Sequence, residues 1–227
     1  MRNLVLLLCL SLLSLGIASA DLIPCTVSNL GTGGSLGSST VVVCGSLTFD
    51  NFVVSDPTNG APGIIDLLGT PEYDSGTGEA YLNFNPNLSG FGDELFTFAV
   101  VGGVRQLDMS VGGSDATIFE EACANPVPLS GSLLGLCTDP TGSFSVAPLG
   151  SLTVSSGEPA QPILSAPFAS TSPIYIFKDI NEDGGLLTEF SQSFSPTIIS
   201  TPEPSSTILL GSGLLAVGLW RRRSRRG

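Results

Sequence analysis

Asp179-Ile180-Asn181-Glu182-Asp183-Gly184-Gly185 is the densest run of oxygen ligands in this 227-residue chain. Asp179, Asn181, Asp183 and Gly184 fall at positions 1, 3, 5 and 6 of a calcium loop, in which side-chain oxygens surround the ion and glycine makes the sharp turn. Position 12 should supply a bidentate acid, but it is Phe190, with Glu189 one step early. Alternating runs flank the segment, so an Asp-Gly hairpin turn accounts for the same residues, and no metal is expected. Asp93-Glu94 and Glu120-Glu121 suggest a glycosidase couple, whose retaining form needs two carboxyls about 5 Å apart. Neighbours on a strand point to opposite faces, so neither adjacent pair supplies it; a couple drawn from different strands stays open.

Gly33-Gly34-Ser35-Leu36-Gly37 spells a nucleophile elbow, which requires a strand before it, a helix after it and a histidine partner. The chain contains no histidine. That absence removes Ser-His-Asp and Cys-His catalysis and any His-ligated zinc. Gly211-Ser212-Gly213-Leu214-Leu215-Ala216 imitates a dinucleotide fingerprint inside an apolar run, where small residues serve helix packing instead. Asn87-Leu88-Ser89 is a glycosylation sequon of the kind that arises by chance. No catalytic residue and no cofactor is expected.

Cys9 lies in the leader described below, and four cysteines follow it: Cys25, Cys44, Cys123 and Cys137. An even count in an exported chain predicts two disulfides. Three connectivities are open. Close spacing favours Cys25 with Cys44 and Cys123 with Cys137, enclosing 18 and 13 residues, each loop contributing about 3 kcal/mol by chain entropy.

These residues must be carried by strands. VVVC, LTFDNFVVS, GIIDLL, AYLNFNP, ELFTFAVV, VRQLDMSV, ATIFEEA, LTVSS, IYIFKDI and EFSQSFS are short, β-branched or aromatic, and punctuated by Gly, Pro, Asn or Ser. Val101-Gly102-Gly103-Val104 predicts a two-residue hairpin, with Leu107, Met109 and Val111 on one face of the return strand and Asp108 and Ser110 on the other. Ten such strands predict an all-β protein, an antiparallel β-sandwich over residues 21–200. Segments 26–40 and 124–150 read as long loops.

The two ends read as addresses. Residues 1–20 place Arg2 before an apolar stretch and close on Ala18-Ser19-Ala20, the order of a secretory signal peptide cleaved after Ala20. Near the other end, Pro202-Glu203-Pro204 is held extended by its prolines. An apolar stretch follows, a single transmembrane helix over 206–220, and then Arg221, Arg222, Arg223, Arg225 and Arg226. Those five charges resist translocation, so the tail stays inside and the body faces outward. Twenty acids against Arg105 and Lys178 leave the body, with Glu203 included, at −18, which repels nucleic acid and anionic surfaces.

The order Pro-Glu-Pro, short apolar helix and arginine cluster, over residues 201–227, resembles the PEP-CTERM sorting signal of Gram-negative bacteria that make exopolysaccharide. CGSLTFDNFVVS at 44–55 and the runs IYIFKDI and FSQSFS within 174–195 look like segments of one PEP-CTERM group. The resemblance implies an exosortase, a membrane cysteine protease, as processing partner, with Pro202, Glu203 and Pro204 as its recognition site. It also implies transient anchoring in the inner membrane, then delivery to the cell surface or extracellular matrix.

The expected function is therefore a non-catalytic surface or matrix protein, structural or adhesive, in an exopolysaccharide or biofilm setting. Exopolysaccharide is its expected neighbour. A lectin-like or polysaccharide-acting sandwich is the alternative, because a fold does not fix a function. Against it, the only tryptophan, Trp220, lies in the tail, which leaves Tyr73, Tyr81, Tyr175 and phenylalanines for stacking on sugars.

Overall fold

A computed structural model of the chain describes residues 21–56, 63–86, 89–129, 132–156 and 163–196. The predicted signal peptide, sorting motif, transmembrane helix and arginine cluster all lie outside these residues. Among the described residues no helix is long and apolar enough to cross a membrane, and the only helical element is one 3-10 turn, Thr32–Gly34.

The strands in chain order are β1 (Leu22–Pro24), β2 (Thr26–Ser28), β3 (Val41–Cys44), β4 (Leu47–Ser55), β5 (Asp66–Leu67) and β6 (Glu72–Asp74). They continue with β7 (Ala80–Asn85), β8 (Ser89–Val101), β9 (Gln106–Cys123), β10 (Gly150–Ser155), β11 (Ile163–Leu164) and β12 (Ile174–Ser195). All pairings are antiparallel and join into one twelve-stranded sheet. The all-β expectation therefore holds. The architecture is nearly barrel-shaped, a single sheet folded over on itself.

β12 is the spine of that sheet. Along one edge it pairs with β9 from Tyr175 to Ser195. Along the other it pairs with β8 as far as Leu186 and with β7 from Phe190 to Phe194. The β9–β12 ladder bends in the middle, where the register shifts between Glu182 and Leu186 and again between Leu187 and Glu189. Glycine permits the bend. Gly113 takes φ 126°, and a Cβ there would sit 2.0 Å from the Leu186 carbonyl oxygen; one on Gly185 would sit 2.0 Å from that of Ser114.

The bend lays one half of the sheet over the other. Phe49 on β4 meets Phe194 on the far half of β12 at a centroid distance of 4.9 Å, and Phe84 on β7 meets Phe96 on β8 at 5.6 Å. Phe52, Phe98 and Phe190 complete a buried aromatic layer, with the offset and edge-on contacts that ring quadrupoles favour. On the opposite side the N-terminal segment stitches the halves together. β1 pairs with β6, β2 pairs with β3, and Cys25 between them is bonded to Cys44.

Three expectations need correction. The hairpin at Val101-Gly102-Gly103-Val104 does not form: β8 and β9 are both partnered by β12, which lies between them. Gly102 and Gly103 do adopt positive φ, 127° and 83°, but they turn the chain from one half of the sheet to the other. VRQLDMSV and ATIFEEA are one strand, β9, and IYIFKDI and EFSQSFS are one strand, β12. The Asp-Gly turn at Asp183-Gly184 is accordingly the bulge of a continuous strand, with Gly184 at φ 86°.

Candidate functional site

Ala18, Ala20, Pro202, Glu203, Pro204, Arg221, Arg222, Arg223, Arg225 and Arg226 lie outside the described residues, as do Asn87 and Leu88 of the sequon. The remaining singled-out residues fall into three groups: the disulfides, an acidic patch on the outer face of the sheet, and one buried charge cluster.

Both disulfides connect as the spacing favours. Cys25–Cys44 has a Cα separation of 4.6 Å and Cys123–Cys137 one of 5.3 Å. The first ties the N-terminal stitch to β3. The second anchors the long segment after β9, whose tip is held by Asp139; its carboxylate accepts from the backbone of Ser143 and Phe144 and from Thr141 Oγ1. Those bonds hold Asp139 down to about 2 and leave Phe144 71% exposed. Glu121 approaches Cys123 and Cys137, but the sulfurs are committed to each other. The elbow-like Ser35 follows a 3-10 turn and bridges Asp66, and its hydroxyl donates to the Thr32 carbonyl. That surrounding is not an elbow.

The calcium-like residues lie along a strand rather than around a loop. Successive residues on one face of a strand are spaced by about 6.6 Å, so Asp179, Asn181 and Asp183 form a row and do not converge on a point. Asp93, opposite Asn181 on β8, hydrogen-bonds Asp179 instead. Burial first, then the charge of Asp179, that hydrogen bond and the charge of Asp56 push Asp93 up to about 6. Glu94 points to the opposite face, as the strand rule requires, and is buried. Desolvation and the charge of Asp56 push it up to about 7 against an opposing backbone bond from Ile64.

These two groups set a pH dependence. Their folded-state values lie above the unfolded ones, so the folded protein binds more protons between about pH 4 and pH 7. The stability they contribute is complete below about pH 4 and is lost as pH rises through 6 and 7. Asp93 is partly solvated, which damps its share. The melting temperature is expected to be roughly 3–5 °C higher at pH 5 than at pH 8. Asp93→Asn with Glu94→Gln should flatten that slope in a calorimetric pH series.

The interior holds a group that sequence reasoning missed. Glu120 faces inward from β9 and Glu121 outward, and the Glu120 carboxylate is directly opposite Lys178 on β12. Lys178 Nζ donates to Glu120 Oε2, and Gln192 Nε2 donates to Glu120 Oε1 at 2.5 Å. Lys178 and Glu120 are fully buried. Met109 Sδ lies 3.5 Å from Nζ, and the Phe190 ring centroid 5.2 Å. Desolvation pulls the Lys178 amine below its ordinary value, with Glu120 opposing. Lys178 and Gln192 are fourteen positions apart on one strand, roughly 45 Å if it were straight. One carboxylate reaches both because the strand folds over. The alternation held a signal for this: Lys178 occupies the apolar parity of Ile174, Ile176 and Ile180, and Glu120 that of Ala116, Ile118 and Ala122.

A family model described as the PEP-CTERM protein-sorting motif matches residues 200–223. No curated protein and no solved structure matches the chain. The chain carries a PEP-CTERM sorting signal, and with it the marks of an exported cell-surface protein processed by an exosortase.

Proposed function

We propose that the folded body is non-catalytic cargo, a structural or adhesive component of the cell surface or extracellular matrix in an exopolysaccharide or biofilm setting. The exosortase cuts near Pro202-Glu203-Pro204 after transient anchoring of the precursor in the inner membrane. The observation that carries this reading is the motif match at 200–223, directly after a compact disulfide-bonded sheet whose last strand ends at Ser195. Two features support a scaffold role. Phe49, Phe52, Phe84, Phe96, Phe98, Phe190 and Phe194 are sealed in the core and unavailable for stacking on sugar rings. The acidic exterior suits a neighbour bridged through cations.

Replacing Pro202, Glu203 and Pro204 together by alanine tests the sorting step in the source bacterium. The expected result is retention of the full-length chain in the inner-membrane fraction. Unaltered processing and surface delivery would remove the basis of the proposal. The alternative, a carbohydrate-binding or polysaccharide-acting domain, draws on the half-buried Asp93–Asp179 pair. Glycan-array binding by the oxidised protein that is abolished by Asp93→Asn would favour it.

A further inference from the structure

Lys178 is the only lysine in the chain, and it is fully buried. Lysines are almost never placed so unless paired, and an ion pair alone gains little from such burial, since desolvating both partners offsets the attraction. The surroundings hold more than a counter-ion. The Glu120 carboxylate bridges the amine to a carboxamide, with Lys178 Nζ on one oxygen and Gln192 Nε2 on the other. Gln192 is 2% exposed, and its carbonyl oxygen Oε1 is buried without a hydrogen-bond partner among the described residues. An unpaired buried carbonyl costs stability, whereas the amide nitrogen Nε2 lies directly against the Glu120 carboxylate. Met109 and Phe190 wall the cluster and exclude water.

We propose that Lys178 and Gln192 become joined by an intramolecular isopeptide bond, formed without a separate enzyme and with Glu120 as the proton carrier. Nucleophile, electrophile and proton carrier are held by one folded strand and its partner, so the step gains the effective molarity of a fixed geometry. Lys178 Nζ passes its extra proton to Glu120, and burial favours the resulting neutral amine over the ammonium. The Nζ lone pair attacks Gln192 Cδ, whose carbonyl oxygen takes up the electron pair, while the Glu120 acid protonates Nε2, the atom it touches. Glu120 then takes a proton from Nζ. The Cδ–Nε2 bond breaks, the carbonyl re-forms, and ammonia leaves. An amine and an amide give an amide and ammonia, with no oxidant, reductant or co-reactant. The product clamps the two halves of the bent sheet through the core.

Trypsin supplies the test, because the body offers it only Arg105 and Lys178 and it does not cut after an acylated lysine. The natural exported protein is reduced, denatured and digested, and its peptides are weighed. The expected result is one peptide running from Gln106 through Asp179 and beyond, lighter than its sequence by about 17 Da, the mass of the ammonia expelled in the acyl transfer, with fragmentation placing the loss on a link between Lys178 and Gln192 and not on cyclised Gln106. Glu120→Gln and Gln192→Leu should each restore the cut and the full mass. Separate wild-type peptides beginning at Gln106 and Asp179, both at sequence mass, overturn the proposal. A loss of about 18 Da joining Lys178 to Glu120 overturns it as well, since water rather than ammonia would then be the leaving group. The wild-type digest decides the matter even if neither variant folds.

Discussion

Truncating Glu120 to alanine is expected to cost about 3–5 kcal/mol, because it leaves the Lys178 amine in the core with its charge uncompensated. The carboxylate is the shared acceptor for Lys178 and Gln192, so its loss orphans two donors at once, and neither has water to turn to. Against a total stability of about 5–15 kcal/mol for a domain, that is a large fraction. The melting temperature should fall by roughly 10 °C. Urea unfolding of the purified oxidised protein measures it directly. Glu120→Leu combined with Lys178→Met should recover part of the loss, since an apolar pair leaves no buried charge behind. A single variant within 1 kcal/mol of wild type would mean that water reaches Lys178, contrary to its complete burial.

Removing the Cys25–Cys44 bridge is expected to be the second large effect, about 2–5 kcal/mol, and to exceed that of removing Cys123–Cys137. The two bridges span similar lengths of chain, with sequence separations of 19 and 14. Loop-closure entropy alone therefore predicts nearly equal losses. They differ in what they hold. Cys25 sits where the chain passes from β1 on one half of the sheet to β2 on the other, whereas Cys137 tethers a segment outside the sheet. Calorimetry of Cys25→Ala/Cys44→Ala beside Cys123→Ala/Cys137→Ala makes the comparison. Equal losses would show that the stitch adds nothing beyond its loop.

What the sequence made legible follows from where local physics decides. VVVC, LTFDNFVVS and AYLNFNP became β3, β4 and β7, because each is bounded by turn residues and alternates to match one buried face. The disulfide pairs were equally plain from spacing. Gly112-Gly113-Ser114-Asp115, the gap left between VRQLDMSV and ATIFEEA, and Asn181-Glu182-Asp183-Gly184-Gly185 split two long strands into four for a shared physical reason: the residues that turn a hairpin also bend a ladder. Which of these happens depends on whether a partner strand bends alongside, and that is a long-range fact. The hairpin reading of Gly102-Gly103 failed for the same cause, since nothing nearby announces that β12 will lie between β8 and β9. β1, β2, β6 and β11 are only two or three residues long, too short to show a period. Lys178 and Glu120 were visible only as charges. Their apolar parity is the clue, and it gains meaning once the two runs are known to be neighbours.

The spine of this sheet is also its last strand. β12 supplies the partner for β7, β8 and β9, and it ends at Ser195, five positions before the sorting motif begins. During vectorial synthesis the three groups of strands built on β7, β8 and β9 must therefore wait for the final stretch of the body to emerge before they can be joined. A product of premature termination would have no keel to assemble on and would stay open to proteolysis. The order of elements thus acts as proofreading by topology: maturation and dispatch are scheduled together, and only an intact copy presents a closed module at the moment its address is read.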